Sequence, residues 1–330
     1  MALWLVRAGK FGQHQQRFLD TGRIYATWKG LNHNLSNAKT RQDIRTLLLE
    51  TNPDRGKGAA VNYSGQLWSF TNEIKPGDWV VLPLKNKAAV AVAEVLGPYE
   101  YDSRAEDPYF HSRTVKWITT EIPRSAFDQD LLYSFGAFMT ICRIERNDAE
   151  NRVRLMAQHG WIPAASQHPP KEGPEPSGTA LPPETVDLER LARDQIAKLI
   201  IAKFKDHGMA RLVEAILRAQ GYVTWLSPEG PDKGVDILAA PGPLGFAGPR
   251  ICVQVKSGDG PTDHPTLSQL IGTMQNVQAD QGLLVSWGGF KSSIEKETSR
   301  HFFRVRLWDQ DVLTEQVLAH YAKLDPEVRA

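Results

Sequence analysis

The chain has 330 residues, enough for about two domains at roughly 150 residues each. Its 41% apolar and 23% charged residues exclude global disorder and a fibrous repeat. The net charge is only +1, but the first 60 residues carry +6 and the remainder −5, an asymmetry compatible with an anionic partner near the N-terminus.

The first half reads as short β-rich runs: Leu3–Val6, Ile24–Trp28, Trp79–Leu82, Ala88–Val95 and Val115–Thr119. Pro76-Gly77-Asp78 supplies a turn ahead of Trp79. Helical spacing occurs at Gln42–Glu50 and Asp148–His159, with Gly160 as a stop. The pattern predicts a mixed domain over 1–162 built on a curved sheet or small β-barrel. From Pro163 to Pro183 the chain is rich in Pro, Gly, Ser and Glu, a semi-rigid spacer. Residues 184–330 then predict a connector helix at Glu184–Asp206 and an amphipathic helix at Met209–Gln220, whose apolar stripe is Met209, Leu212, Val213, Ile216 and Leu217. Strands follow at Tyr222–Leu226, Gly234–Ala239 and Ile251–Lys256, then a helix at Thr266–Gln278 with Pro265 in its first turn. Strand Leu283–Trp287, helix Ser292–Arg300, strand Arg304–Trp308 and helix Val312–Ala322 complete a mixed sheet flanked by helices. The fold class is thus α/β and α+β in two domains.

Two cysteines, Cys142 and Cys252, make neither a disulfide framework nor a zinc site, which favours a reducing compartment. Arg7 interrupts the apolar start Ala2–Val6, and no apolar stretch reaches about 18 residues. The expectation is a soluble, cytoplasmic protein with no membrane partner.

Chemistry concentrates in the second half. Strand alternation puts Ile251, Val253 and Val255 on one face and Cys252, Gln254 and Lys256 on the other. A lysine and a carboxamide in an apolar strand are costly without partners or water. Asp236 interrupts the apolar run of the preceding strand, and a hairpin through Pro241–Pro249 brings it beside Gln254 and Lys256. One carboxylate, one amide oxygen and the Val255 carbonyl suit Mg²⁺, and a neighbouring lysine can orient water and stabilise charge on a phosphate. The bland alternative makes Asp236 a turn cap and Lys256 an edge charge.

The runs HGMARLVEAILRAQGY, PDKGVDIL, ICVQVKSGDG and LSQLIGTMQNVQADQGLLVSWGGF, within Asp206–Leu324, resemble the Mrr-type catalytic domain, a branch of the PD-(D/E)xK nucleases. The resemblance implies catalysis by Asp236, Gln254 and Lys256 with Mg²⁺ as cofactor. A glutamate usual on the first helix corresponds to Ala210 here; Glu214, one turn on, is the candidate substitute. Lys233 stands where the family has a glycine and is a candidate phosphate contact. Gln269 matches a family glutamine that faces the site, and Lys291 and Arg300 are candidate backbone contacts.

In the first half, Trp28 and Trp68 lie among polar neighbours. With Asn32, His33 and Phe70 they are candidates for a pocket that stacks on an extruded base and bonds its edge. The run KPGDWVVLPLKNKAAVAVAEVLGPYEY, followed by HSRTVKW, resembles PUA-like domains of the EVE and YTH kind. That resemblance implies modified-base recognition, with Arg113 and Lys116 on phosphate.

Together these readings predict a Mg²⁺-dependent, modification-dependent (type IV-like) DNA restriction endonuclease. Its partner is modified double-stranded DNA. One catalytic set per chain implies at least a homodimer on DNA. The rivals are a nuclease switched on by a small nucleotide signal and a non-cleaving DNA-binding protein with a dead site.

Overall fold

A computed structural model describes residues 1–54, 56–137, 139–161, 188–228 and 234–329. The expected spacer at 163–183 and Lys233 lie outside the described residues. The chain divides into two compact units, Met1–Ile122 with Phe127–Leu188, and Pro123–Ala126 with Glu189–Ala330.

In the first unit the strands are β1 (Leu3–Val6), β2 (Arg23–Tyr25), β3 (Trp79–Pro83), β4 (Ala89–Tyr101), β5 (His111–Pro123) and β6 (Ile141–Arg143). They form one sheet in the order β2-β5-β4-β3-β1-β6. β1 runs parallel to β3 and antiparallel to β6. Among the described residues five helices accompany it: α1 (Gln15–Thr21), α2 (Arg41–Thr51), α3 (Lys57–Trp68), α4 (Gln129–Phe135) and α5 (Ala149–Gln158). Thr40 and Asp43 cap α2 reciprocally, satisfying donors that a helix start leaves open. α3 runs on into a π-helical turn, Ser69–Glu73. One apolar cluster joins alternate residues of β1, β3 and β4 to Ile44, Leu48, Leu67 and Phe70. The strand expected at Ile24–Trp28 stops at Tyr25, and Trp28, Leu31 and Leu35 turn into this core as loop residues.

The second unit opens with α6 (Leu188–Lys203) and α7 (His207–Ala219). The stripe of α7 is fully buried, as its periodicity predicts. β7 (Val223–Leu226), β8 (Ile237–Ala240) and β9 (Ile251–Lys256) form an antiparallel meander. Helix α8 (His264–Asn276), β10 (Gln281–Ser286), α9 (Ser292–Glu297), β11 (Val305–Trp308) and α10 (Gln310–His320) follow. β10 and β11 add in parallel, giving the order β11-β10-β9-β8-β7. Ile237, Ala239 and Val253 pack with α7 on one face of the sheet, while Cys252 and Leu284 pack with α8 residues Leu267, Leu270 and Met274 on the other. No described helix is long and apolar enough to cross a membrane.

Candidate active site

The β8–β9 ladder pairs Ile237 with Val253 and Leu238 with Cys252. Asp236 lies just before β8, where the ladder ends: its N–H donates to the Val253 carbonyl at 3.0 Å, one residue out of the regular register, and its carbonyl accepts from Ser227 N–H at 2.8 Å. Two apart on β9, Gln254 and Cys252 share the α8 face. Burial, and after it the charge of Asp236, push the Cys252 thiol up to about 11. The half-buried Asp236 carboxylate accepts from the Val255 N–H through Oδ2 at 2.6 Å.

Gln254 is 1% exposed, and its Oε1 is buried with no hydrogen-bond donor among the described residues. An orphaned buried acceptor costs roughly 1–3 kcal/mol, which a cation or an ordered water would recover. The donor set suits a hard divalent cation. It offers one carboxylate and one amide oxygen, with no cluster of three or more His, Cys, Asp and Glu among the described residues, so water and substrate oxygens would fill most of the coordination sphere.

Lys256 lies two residues beyond Gln254 on the same face, with an exposed side chain. With Ser257, Gly258, Gly260, Thr262 and Asp263 it lines an open cleft of about 450 Å³. Sequence reasoning missed what holds this cleft. Ser286, paired with Lys256 across β9 and β10, is fully buried; its hydroxyl donates to Gly289 O at 2.8 Å and bonds Thr262 Oγ1 at 2.7 Å. Thr262 N–H also donates to Gly289 O at 2.9 Å, and Trp287 N–H to Lys256 O at 2.8 Å. A Cβ at Gly288 would fall 2.4 Å from Gly260 O, so only glycine fits there. The paired glycines of Ser286-Trp287-Gly288-Gly289 were the available signal.

Four sequence candidates are corrected. Glu214 accepts from Thr224 Oγ1 at 2.9 Å. Thr224 pairs with Ala239 and so faces α7, which puts Glu214 across the sheet from Asp236. Arg113 is 2% exposed and donates to the carbonyls of Phe70, Thr71 and Gly97. It is a buried strut, not a phosphate contact, and burial lowers its pKa to about 10. The alternation His111, Arg113, Val115 carried that signal. Phe70 is fully buried, and Trp28, 7% exposed, packs edge-on to Tyr63 at 5.7 Å; neither offers a free face for a base. Trp68 is half-buried against the core, while Asn32, His33 and Lys116 are exposed.

Gln269 of α8 lies close to Gly234, two residues before Asp236: a Cβ there would meet its Nε2 at 3.1 Å. Lys291 lies 4.0 Å from Asp263, and Arg300 pairs with Glu297 at 3.1 Å.

The loop after Trp28 hangs on a buried relay. Leu35 N–H donates to Tyr99 Oη at 3.2 Å. Tyr99 Oη lies 2.7 Å from His111 Nδ1, and His111 Nε2 lies 2.8 Å from Leu31 O. A carbonyl can only accept, so Nε2 carries the proton and Nδ1 accepts from the tyrosine. Burial holds this imidazole neutral, with a pKa of about 4. Tyr101 Oη donates to Asn32 Oδ1 at 2.8 Å, and Asn32 Nδ2 to Ser103 O at 3.3 Å.

Residues 201–317 match the Mrr_cat family, described as restriction endonuclease. Residues 4–140 match a domain of unknown function, DUF8426. No curated protein matches the chain. Among solved structures, the MspJI restriction endonuclease in complex with a 27-mer oligonucleotide is similar at 15% identity and a TM-score of 0.31, over 98% of this chain and 77% of that one. The DNA modification-dependent restriction endonuclease AspBHI is similar at 14% identity and a TM-score of 0.33, over 83% of this chain and 73% of that one.

Proposed function

We propose that this chain, whose second unit carries an Mrr_cat restriction endonuclease domain, is a modification-dependent DNA endonuclease using Mg²⁺. The observation that carries the reading is Gln254 Oε1, buried and without a donor among the described residues, two residues from Lys256 and between Val253 and Val255, both of which bond Asp236. Asp236, Gln254 and the Val255 carbonyl would hold the ion. When bound, it supplies Lewis-acid stabilisation of the phosphate and activates a water. Asp236, fixed by the Val255 N–H, orients the site. Lys256 reaches from the same face into the open cleft and stabilises charge as it develops on the phosphate. Cys252, Leu267 and Leu270 keep the floor dry, which strengthens both effects.

The first unit, read as PUA-like, would recognise the modified base. In this reading the exposed Asn32 and His33, on a loop held by His111 and Tyr99, would bond a base edge, with Trp68 to stack and Lys116 for phosphate. Each chain holds one such catalytic set and cuts one strand, so a double-strand break needs two copies on DNA.

The test is cleavage of modified and unmodified plasmids, each with and without Mg²⁺. Cutting confined to modified DNA with Mg²⁺ supports the reading. Equal cutting of both plasmids removes the modification dependence, and binding without cutting at any Mg²⁺ concentration supports a dead site.

A further inference from the structure

β9 ends at Lys256, and the chain then runs through residues 257–261 to Thr262, just ahead of α8. Both ends of this stretch are held by one turn, at 286–291. At its start, Lys256 pairs with Ser286 across the β9–β10 ladder, and the Lys256 carbonyl accepts from Trp287 N–H at 2.8 Å. At its end, Thr262 N–H donates to Gly289 O at 2.9 Å, and the Thr262 carbonyl accepts from Lys291 N–H at 3.0 Å. Thr262 also bridges Phe290 in parallel. In between, the stretch presses on the same turn: a Cβ at Gly288 would lie 2.4 Å from Gly260 O and 2.6 Å from Asp259 O. A Cβ at Gly258 or Gly260, by contrast, would meet nothing within 4 Å. Both glycines line the cleft together with Lys256.

The lock on this turn is a pair of hydroxyls. Ser286 is fully buried and Thr262 is 8% exposed. Ser286 Oγ gives its one proton to Gly289 O, so Thr262 Oγ1–H donates to Ser286 Oγ. Gly289 O thus accepts twice, from Ser286 and from Thr262 N–H, and the ring of bonds is closed. Buried hydroxyls are costly unless bonded, and an apolar pair would fill the same space. What the hydroxyls add is direction, since every bond of the ring is met with Thr262 in one place against the turn. We propose that Thr262 and Ser286 are positioning residues for Lys256: they set the strand end that carries its ammonium and the cleft rim beside it. The proposal rests on the nuclease reading above, in which Lys256 stabilises charge on the phosphate. That ammonium rides on a flexible four-carbon stem, so its placement depends on how firmly its root and the rim are fixed. A misplacement of about 1 Å is enough to cost about a hundredfold in rate.

The experiment compares the full chain with its Thr262→Val, Thr262→Ser and Ser286→Ala variants. It measures the cleavage rate of modified and unmodified plasmids at saturating DNA, the Mg²⁺ needed for half-maximal rate, the Kd for the same DNA without Mg²⁺, and the Tm. Thr262→Val keeps the shape and loses the hydroxyl. It and Ser286→Ala are expected to cut about ten- to a hundredfold more slowly. Their Kd and half-maximal Mg²⁺ should stay at the wild-type values, because Asp236, Gln254 and the charge of Lys256 are all retained. Thr262→Ser, which keeps the hydroxyl, should cut at close to the wild-type rate. Full-rate cutting by Thr262→Val and Ser286→Ala overturns the proposal. So does a Thr262→Ser protein as slow as Thr262→Val. A loss of rate matched by an equal loss of DNA binding and a large fall in Tm also overturns it, since the pair then only holds the fold. A wild type that cuts neither plasmid overturns the nuclease reading and this role with it, whereas a cutting wild type with unaffected variants overturns this role alone.

Discussion

Gln254 brings an amide oxygen, not a charge, to the stretch of β9 that bonds the site's carboxylate residue, Asp236. A site with so little charge should hold Mg²⁺ weakly. Gln254→Glu adds a second carboxylate and should lower the Mg²⁺ needed for half-maximal cleavage, while Gln254→Ala should nearly silence the enzyme. The check is a Mg²⁺ titration on one modified substrate; identical curves for all three proteins would show that Gln254 is no ligand. A glutamate buried there without metal also resists ionisation, so the Tm of Gln254→Glu should rise more on adding Mg²⁺ than that of the wild type.

His111 sets a second expectation at this scale. Its folded pKa of about 4 lies below the ordinary histidine value of 6.5, so between these values the unfolded chain binds the extra proton and stability falls as pH falls. From pH 7 to pH 5 the loss should be about 2 kcal/mol from this residue. Urea unfolding at the two pH values measures it, and His111→Gln should flatten the difference. A wild-type midpoint indifferent to pH across this window would contradict the relay.

At the scale of elements, β1 and β3 meet through Asp78 as well as through their ladder. Its buried carboxylate accepts from Ala2 N–H at 2.8 Å, Trp4 Nε1–H at 3.1 Å and Lys75 N–H at 3.0 Å. Asp78→Ala strands three donors, and at roughly 1–3 kcal/mol per orphaned group it should cost about 3 kcal/mol or more; the urea midpoint checks this. The sequence shows Asp78 only as part of a Pro-Gly-Asp turn, because two of its three partners, Ala2 and Trp4, lie more than 70 residues away. By contrast, α7 was legible from its stripe and β9 from its alternation, both local patterns. α3 was not. Its buried positions, Ala60, Ser64, Gln66 and Leu67, are mostly small or polar and leave no apolar period to read. The approach of Asp236 to the end of β9, where it bonds Val253 and Val255, needed only one hairpin, so it was readable. Glu214 failed because one turn of helix does not reveal which side of a sheet the helix covers.

Across the whole molecule, basic charge gathers in the first 60 residues and the candidate chemistry in 236–256, and the proposed function assigns recognition to the first unit and cleavage to the second. That division makes a simple demand: removing the chemistry should leave recognition intact. The direct test is cleavage and binding of a modified plasmid by the wild type, Asp236→Ala and Lys256→Ala proteins. Both side chains are partly or wholly exposed, so neither change should unfold the domain. The account predicts that the wild type cuts with Mg²⁺ while both variants bind the same DNA with near-wild-type affinity and do not cut. Full cleavage by Lys256→Ala would contradict it.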